Sequence, residues 1–282
     1  MNKRTKANPA VNKRVWLSSP YLIWVVGFTV IPMIMIFRYA LADGSGTFTL
    51  GNILAIFEPI HLKAMIFSLE IAVGCTLVCI LLAYPLVLAM ERLHMGRRGF
   101  SLFIVILPMW MNFILRILAW QMILSNNGIL NFILRGIGLE PLAVANTPAA
   151  IMIGMVYDYL PYMVLPIYNV ITEIDADIIE AAKDLGAGSF TVFRKIILPL
   201  SVPGLLSGIV MVFVPSMTSF VVADVLGGGK LQLIGNIIEQ EFTKSSNWAL
   251  GSGLSVSLMI FVLISMIFTT KSDSEGDRSA IW

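Results

Sequence analysis

Residues capable of chemistry are few in this chain. His61 and His94 have no ligand-spaced partners and both fall near loops. Cys75 and Cys79 stand four apart in one apolar run, on the same face of a single helix. A disulfide there would restrain nothing, so two inert apolar side chains are expected. The run Gly227-Gly228-Gly229-Lys230 resembles a phosphate-binding loop, but Leu231 follows where a magnesium-ligating hydroxyl belongs. No G-x-x-x-x-G-K-[ST] signature and no Ser-His-Asp set is recognisable. Catalytic residues, metal ligands and a bound cofactor are therefore not expected. What remains is a handful of charges in apolar surroundings: Glu70, Arg116, Asp158 and Asp224, with Arg38 near enough to a boundary to snorkel. Ionisable groups in such places are costly to bury and are functional candidates by default.

The elements that position those charges follow from composition. The chain has 282 residues, 57% hydrophobic and 13% charged, against about 25% charged in a soluble domain. Mean hydropathy is +0.86. So apolar a chain needs a bilayer as part of its solvent, and a formal net charge of +2 leaves no basic footprint for nucleic acid. Six stretches are long enough to span: 17–40, 66–90, 100–124, 149–172, 203–226 and 249–270. Each is near or above the ~20 residues that a helix needs to cross hydrocarbon. The expected class is an all-α membrane protein of six transmembrane helices.

Basic residues set the orientation. Lys3, Arg4, Lys6, Lys13 and Arg14 precede the first span, and Arg92, Arg97 and Arg98 lie between spans two and three. Lys183, Arg194 and Lys195 lie between four and five, and Lys271 and Arg278 follow six. The opposite loops hold only Lys63, Arg135, Lys230 and Lys244. The positive-inside rule then puts both termini in the cytoplasm. The domain reading is a basic N-terminal segment over 1–16, a permeation domain over 17–270, and a cytoplasmic tail over 271–282. Ala40-Leu41-Ala42 resembles a signal-peptidase site, but the apolar stretch before it is longer than the usual ~7–15 residues. An uncleaved first helix is favoured.

By this topology all four intramembrane charges fall in the outer half. Three acids and one base give an outer vestibule of net negative character, accompanied by Tyr157, Tyr159 and Tyr162 and by Trp110 and Trp120. Carboxylates with aromatic faces suit an organic polycation through charge-assisted hydrogen bonds and cation–π attraction. The alternative is internal pairing, for example of Arg116 with Asp158 or Glu70, that only holds helices together. The sequence leaves both open; Asp224 is the strongest substrate candidate, having no intramembrane base near it in sequence.

One loop, 173–202, is long, mixed in charge and patterned. Ile178, Ile179, Ala181, Ala182 and Leu185 give Asp175 to Leu185 one apolar side at helical period. Asp175, Asp177 and Glu180 crowd the first turns, where they suit the helix dipole, and Gly186 and Gly188 stop the helix. A second amphipathic piece, Phe190 to Leu198, leads to Pro199 and Pro203. A short helix of this kind, small at Ala181 and Ala182, would fit a groove on another protein.

The order Glu180-Ala181-Ala182, three residues, Gly186, nine residues, then Ile196-x-Leu198-Pro199 resembles the EAA loop of ABC importer permeases at every position. That resemblance implies that 173–202 holds a cytoplasmic coupling helix between spans four and five. It would dock into a separate ATPase subunit, which carries ATP and magnesium. Further segments resemble the spermidine/putrescine permeases of the PotB type along nearly the whole chain. They include Leu107-Pro108-Met109-Trp110 with Asn112, Leu115-Arg116-Ile117, Gly154 to Pro166, Ala223 to Gly228, and Leu233 to Ile238. The resemblance implies polyamine import across a bacterial cytoplasmic membrane, a second, PotC-like permease as heterodimer partner, and an extracytoplasmic substrate-binding protein. Pro161, Pro166, Pro203 and Pro215 are expected to kink spans four and five, so that a push on the loop moves the pore. A secondary transporter with the acids as ion relays would explain the charges but not the loop. A membrane scaffold would explain neither.

Overall fold

The computed structural model describes residues 20–44, 46–92 and 98–279. The basic segment 1–16, His94 and Arg97 lie outside them. Among the described residues the chain is helical, with one isolated β-bridge and no strand. Five helices are long and apolar enough to cross a membrane, and a bent helix pair makes a sixth. The described residues fall into two compact units, those up to 56 with 241–259, and those from 57 to 240 with those from 260 onward.

The first unit opens with α1, Pro20–Ala40, which is largely exposed. Pro32 lacks the N–H that would bond the carbonyl of Phe28, and the chain just before it, Val26–Val30, widens into π geometry. After the helix the backbone folds back: Ala40 is fully buried and Ala42 bridges Phe48. Asn52 clips this turn by donating its amide to the carbonyls of Ala40 at 3.3 Å and Ala42 at 2.9 Å. Ser257 donates to the Ile53 carbonyl at 2.9 Å. Gly253 lies so close to Asn52 that a Cβ would strike its backbone.

The second unit has a core of three mutually packed helices, α2 (Pro59–Arg92), α6 (Pro148–Glu173) and α9 (Val202–Thr218). Cys75, Cys79, Ala83, Met155, Met163, Ile167 and Val212 are fully buried among them. Both cysteines are free and buried, as the inert reading requires. Contact between α6 and α9 is close because α9 presents Gly204 and Gly208, one turn apart. A Cβ at Gly204 would lie 2.6 Å from the Pro166 carbonyl oxygen, and one at Gly208 2.6 Å from the Met163 sulfur. Small residues at this spacing let membrane helices approach through their backbones.

The expected third span is not one helix. It comprises α3 (Arg98–Ile106), a tight 3-10 turn Leu107–Trp110, two residues Met111 and Asn112 outside helical geometry, and α4 (Phe113–Leu124). Asn112 caps α4 by accepting from the N–H groups of Ile114 and Leu115 at 3.0 and 3.2 Å. After Gly128 follows α5, Ile129–Gly136, and Phe113–Gly136, rather than the expected 100–124, is the stretch here long and apolar enough to cross. Buried Asn131 holds the chain beyond it through a two-way bond with the backbone of Leu142.

Helix α6 runs unbroken through Pro161 and Pro166. Pro203 sits in the first turn of α9, where no intrahelical bond is lost. The chain bends by 66° between α8 (Ser189–Leu200), which lies in the expected loop, and α9, which begins the expected fifth span, at Ser201. It breaks again at Ser219, before α10 (Phe220–Leu226). Helix α11 is Ile234–Thr243, and α12, Trp248–Ser279, carries helical backbone through residues 271–279.

Candidate functional site

Loop 173–202 folds as its pattern predicts. Asp175 caps α7 (Ala176–Asp184) by accepting from the Asp177 N–H at 3.1 Å. Asp177 stands in the first turn and Lys183 in the last, each favourable for the helix dipole. At the far end Gly186 takes φ +85°, and its N–H and that of Ala187 donate to the carbonyls of Lys183 and Ala182 at 2.8 and 3.0 Å. This left-handed cap is what glycine supplies without strain.

No residue of α7 is buried. Glu180, Ala181 and Gly186 are exposed and Ala182 is half-buried. Leu185 is 90% and Phe190 74% exposed, so the two largest apolar side chains beside the turn are left uncovered. The rear of the loop is different. Val192 is buried, and Ile197 and Leu198 pack on the core. Phe193 meets Tyr84 of α2 edge-on at 5.8 Å, just ahead of Pro199, where Phe193–Ile197 widen into π geometry. Ser201, fully buried at the 66° bend, shares a 2.9 Å hydrogen bond with the Tyr84 hydroxyl. Ile196 is half-buried and Pro199 exposed. The loop is thus anchored at one end and presented at the other.

The intramembrane charges divide into one pair and two isolated acids. Arg116 on α4 and Asp158 on α6 are both buried, with Nε 2.5 Å from Oδ1. The N–H is not aimed at that oxygen, so the contact is an ion pair without a hydrogen bond, and neither carboxylate oxygen accepts one among the described residues. Nη1 of Arg116 instead donates to the Pro108 carbonyl at 2.6 Å. Its guanidinium carbon lies 5.8 Å from the Phe113 ring and 5.9 Å from that of Tyr157. Tyr157 in turn meets Trp120 edge-on at 5.2 Å. The internal pairing that the sequence left open is the arrangement found for these two residues.

Glu70 and Asp224 have no ion-pair partner among the described residues and both are exposed. Glu70 lines a groove of about 740 Å³ together with Lys63, Phe67, Lys230 and Ile237. Asp224 stands near the end of α10, ahead of the turn at Gly228 and Gly229, whose φ values are +63° and +68°. Tyr159 is buried, its hydroxyl donating to the Pro215 carbonyl at 3.5 Å, and Trp110 is 79% exposed beside Phe103. The acids do not form one cluster; Asp158, Glu70 and Asp224 have separate neighbourhoods.

Sequence reasoning missed the anchor residues. Tyr84 and Ser201 are 117 positions apart and carry no local signal. Asn236, whose amide donates to the Phe220 carbonyl at 3.0 Å, braces the break in span five in the same silent way. Gly204 and Gly208 were readable by their spacing.

Comparison with known proteins agrees with this architecture. The family model of the binding-protein-dependent transport system inner membrane component matches residues 93–274. The spermidine/putrescine transport system permease protein PotB of Haemophilus influenzae is 37% identical over 249 residues, covering 86% of this chain and 87% of that protein. The protein of the same name in Escherichia coli is 36% identical, covering 84% and 89%. Among solved structures, a chain of a bacterial ABC transporter involved in the import of the acidic polysaccharide alginate superposes with a TM-score of 0.73 over 93% of this chain and 96% of its own. At 17% identity that likeness speaks for the fold alone.

Proposed function

The chain belongs to the family of binding-protein-dependent transport system inner membrane components, and from that premise we propose that it is the permease subunit of an ATP-driven polyamine importer. It is a multi-pass protein of the bacterial inner membrane and a non-catalytic component of its transporter. The reading of spermidine or putrescine as solute is supported by the names of relatives at 36–37% identity and by the acidic residues Glu70, Asp158 and Asp224.

The observation that carries the coupling assignment is α7: a capped helix with no buried residue, ending at the left-handed Gly186, beside exposed Leu185 and Phe190. In a monomeric soluble surface such apolar exposure would need an explanation; here a second protein surface supplies it. In this reading α7 docks in a groove of the ATPase subunit, with Glu180 and Ala181 facing it, and ATP and magnesium stay on that partner. One chain offers one such helix, so a second permease completes the pathway and a substrate-binding protein delivers the solute outside. Loop 173–202 and both termini are cytoplasmic, consistent with the distribution of Lys and Arg, and 17–270 forms the permeation domain.

The mechanism follows from the anchoring. ATP-driven approach of two ATPase subunits displaces α7; the motion passes through α8 and the bend at Ser201 into α9, which moves with α6 because their backbones touch at Gly204 and Gly208. The test is uptake of labelled spermidine into sealed vesicles holding this chain with its ATPase, second permease and binding protein. ATP-dependent accumulation is expected. Accumulation without the ATPase subunit would mean a secondary transporter instead.

A further inference from the structure

The Arg116–Asp158 pair is built unlike a helix staple. Asp158 is 3% exposed, and a carboxylate so deeply placed is normally supplied with hydrogen bonds at both oxygens. Here one planar guanidinium lies 2.5 Å from Oδ1 without directing an N–H at it, and Oδ2 receives no donor among the described residues. Arg116 makes its one aligned bond elsewhere, to the Pro108 carbonyl in the turn that breaks span three. The carboxylate is neutralised but not coordinated.

Such an acid has capacity for a compact cation with several N–H donors. An alkylammonium group carries three donors on a point charge and can approach where a planar fork is misaligned. The rings of Phe113 and Tyr157, which now flank the guanidinium at 5.8 and 5.9 Å, would flank an alkylammonium equally well. Arg116 would leave with its hold on Pro108, so occupancy of Asp158 is linked to the way α3 joins α4. We propose that Arg116 is a tethered counter-cation, which an ammonium group of the transported solute displaces from Asp158 and which later expels that group by returning. The proposal rests on the polyamine reading and adds a residue that sets how tightly the permease holds its solute.

The test compares equilibrium binding of labelled spermidine to the solubilised complex of this chain with its ATPase and second permease, without the binding protein. Arg116→Gln removes the competing charge and is expected to tighten binding about tenfold or more, the scale of one charge-assisted contact. Adding Asp158→Asn to that variant should return binding to the wild-type level or below. The exchanged variant R116D/D158R restores opposite charges and is expected to assemble without transporting. Unchanged or weaker binding in Arg116→Gln would overturn the proposal. So would tight binding that survives Asp158→Asn, or near-normal uptake by the exchanged pair, which would make the two residues a packing device. If Arg116→Gln does not assemble, Arg116→Met serves: it keeps an unbranched side chain without the charge, tightening is again expected, and its absence would overturn the proposal. Absence of ATP-dependent spermidine uptake by the unmodified importer would overturn the polyamine reading itself, and the displaced cation with it. Normal uptake with unaltered binding in Arg116→Gln would overturn only the role of Arg116.

Discussion

Loop 173–202 and the charge pair between α4 and α6 are opposites in construction. The loop is local: Asp175, Ala181, Ala182 and Gly186 lie within twelve residues, and each cap bond spans five positions or fewer. Its candidate docking face is exposed, and among the described residues none of α7 is buried. The pair joins residues 42 positions apart in sequence and is buried on both sides. A surface meant for a partner has to be specified by neighbours in sequence, because its own fold provides no core around it. A buried charge is specified by the fold and only makes sense once helices are placed. Substitutions should therefore separate the loop from the packed helices: in the loop they should remove function and spare assembly, and at the small-residue contact between α6 and α9 they should cost assembly first.

The largest effect is expected at Gly186→Asp. An L residue at φ +85° is strained by about 1–2 kcal/mol, yet a Cβ there meets nothing within 4 Å. Membrane levels should stay normal while ATP-dependent uptake is lost; normal uptake would sink the coupling assignment. Gly204→Val attacks the opposite side of the comparison. It drives a branched side chain into the Pro166 carbonyl, and overpacking of this kind costs roughly 1–3 kcal/mol or more. The amount of folded protein recovered from membranes should fall; undiminished recovery would mean that α6 and α9 are less tightly bound than they look.

A smaller effect is expected from Asp224→Asn. The residue is exposed and has no ion-pair partner among the described residues, so folding should be indifferent, while spermidine uptake should drop several-fold if the acid meets the solute, on the scale of one charge-assisted hydrogen bond of about 1.5–3 kcal/mol. Unaltered uptake would move Asp224 out of the pathway and leave the importer reading intact. The smallest is Tyr84→Phe, which deletes the hydroxyl bonded to Ser201 and should lower thermal stability by about 1 kcal/mol. Its interest lies in a coupling readout: more ATP hydrolysed per solute moved is the expected sign of a loosened anchor.

How much of this was legible depended on range. Helical class, the spans and the apolar face of α7 follow from composition and 3.6-residue periodicity, and the glycine stop at 186 from backbone sterics. Periodicity gave no warning that span three breaks at Met111 and Asn112, since the apolar run continues through the break. It is the Asn112 cap, a local polar signal inside an apolar stretch, that marks the spot. What a proline does depends on its position: Pro203 opens a helix next to the 66° bend, and Pro161 and Pro166 lie inside one. The Arg116–Asp158 pairing was readable only as one option among several, and the Tyr84–Ser201 anchor not at all, because nothing local distinguishes a hydroxyl that will meet a partner 117 residues away.

The touching backbones of α6 and α9 have a mechanical corollary. The two helices that flank the loop are about 39 Å and 26 Å long at 1.5 Å per residue, and they are fastened together near their loop ends, at Pro166 with Gly204 and Met163 with Gly208. Because α2 packs on both of them and its Tyr84 holds Ser201, neither helix is free to shift alone: a displacement entering at Ser201 is shared by three helices, and a strut braced from two sides passes on a push with little bending of its own.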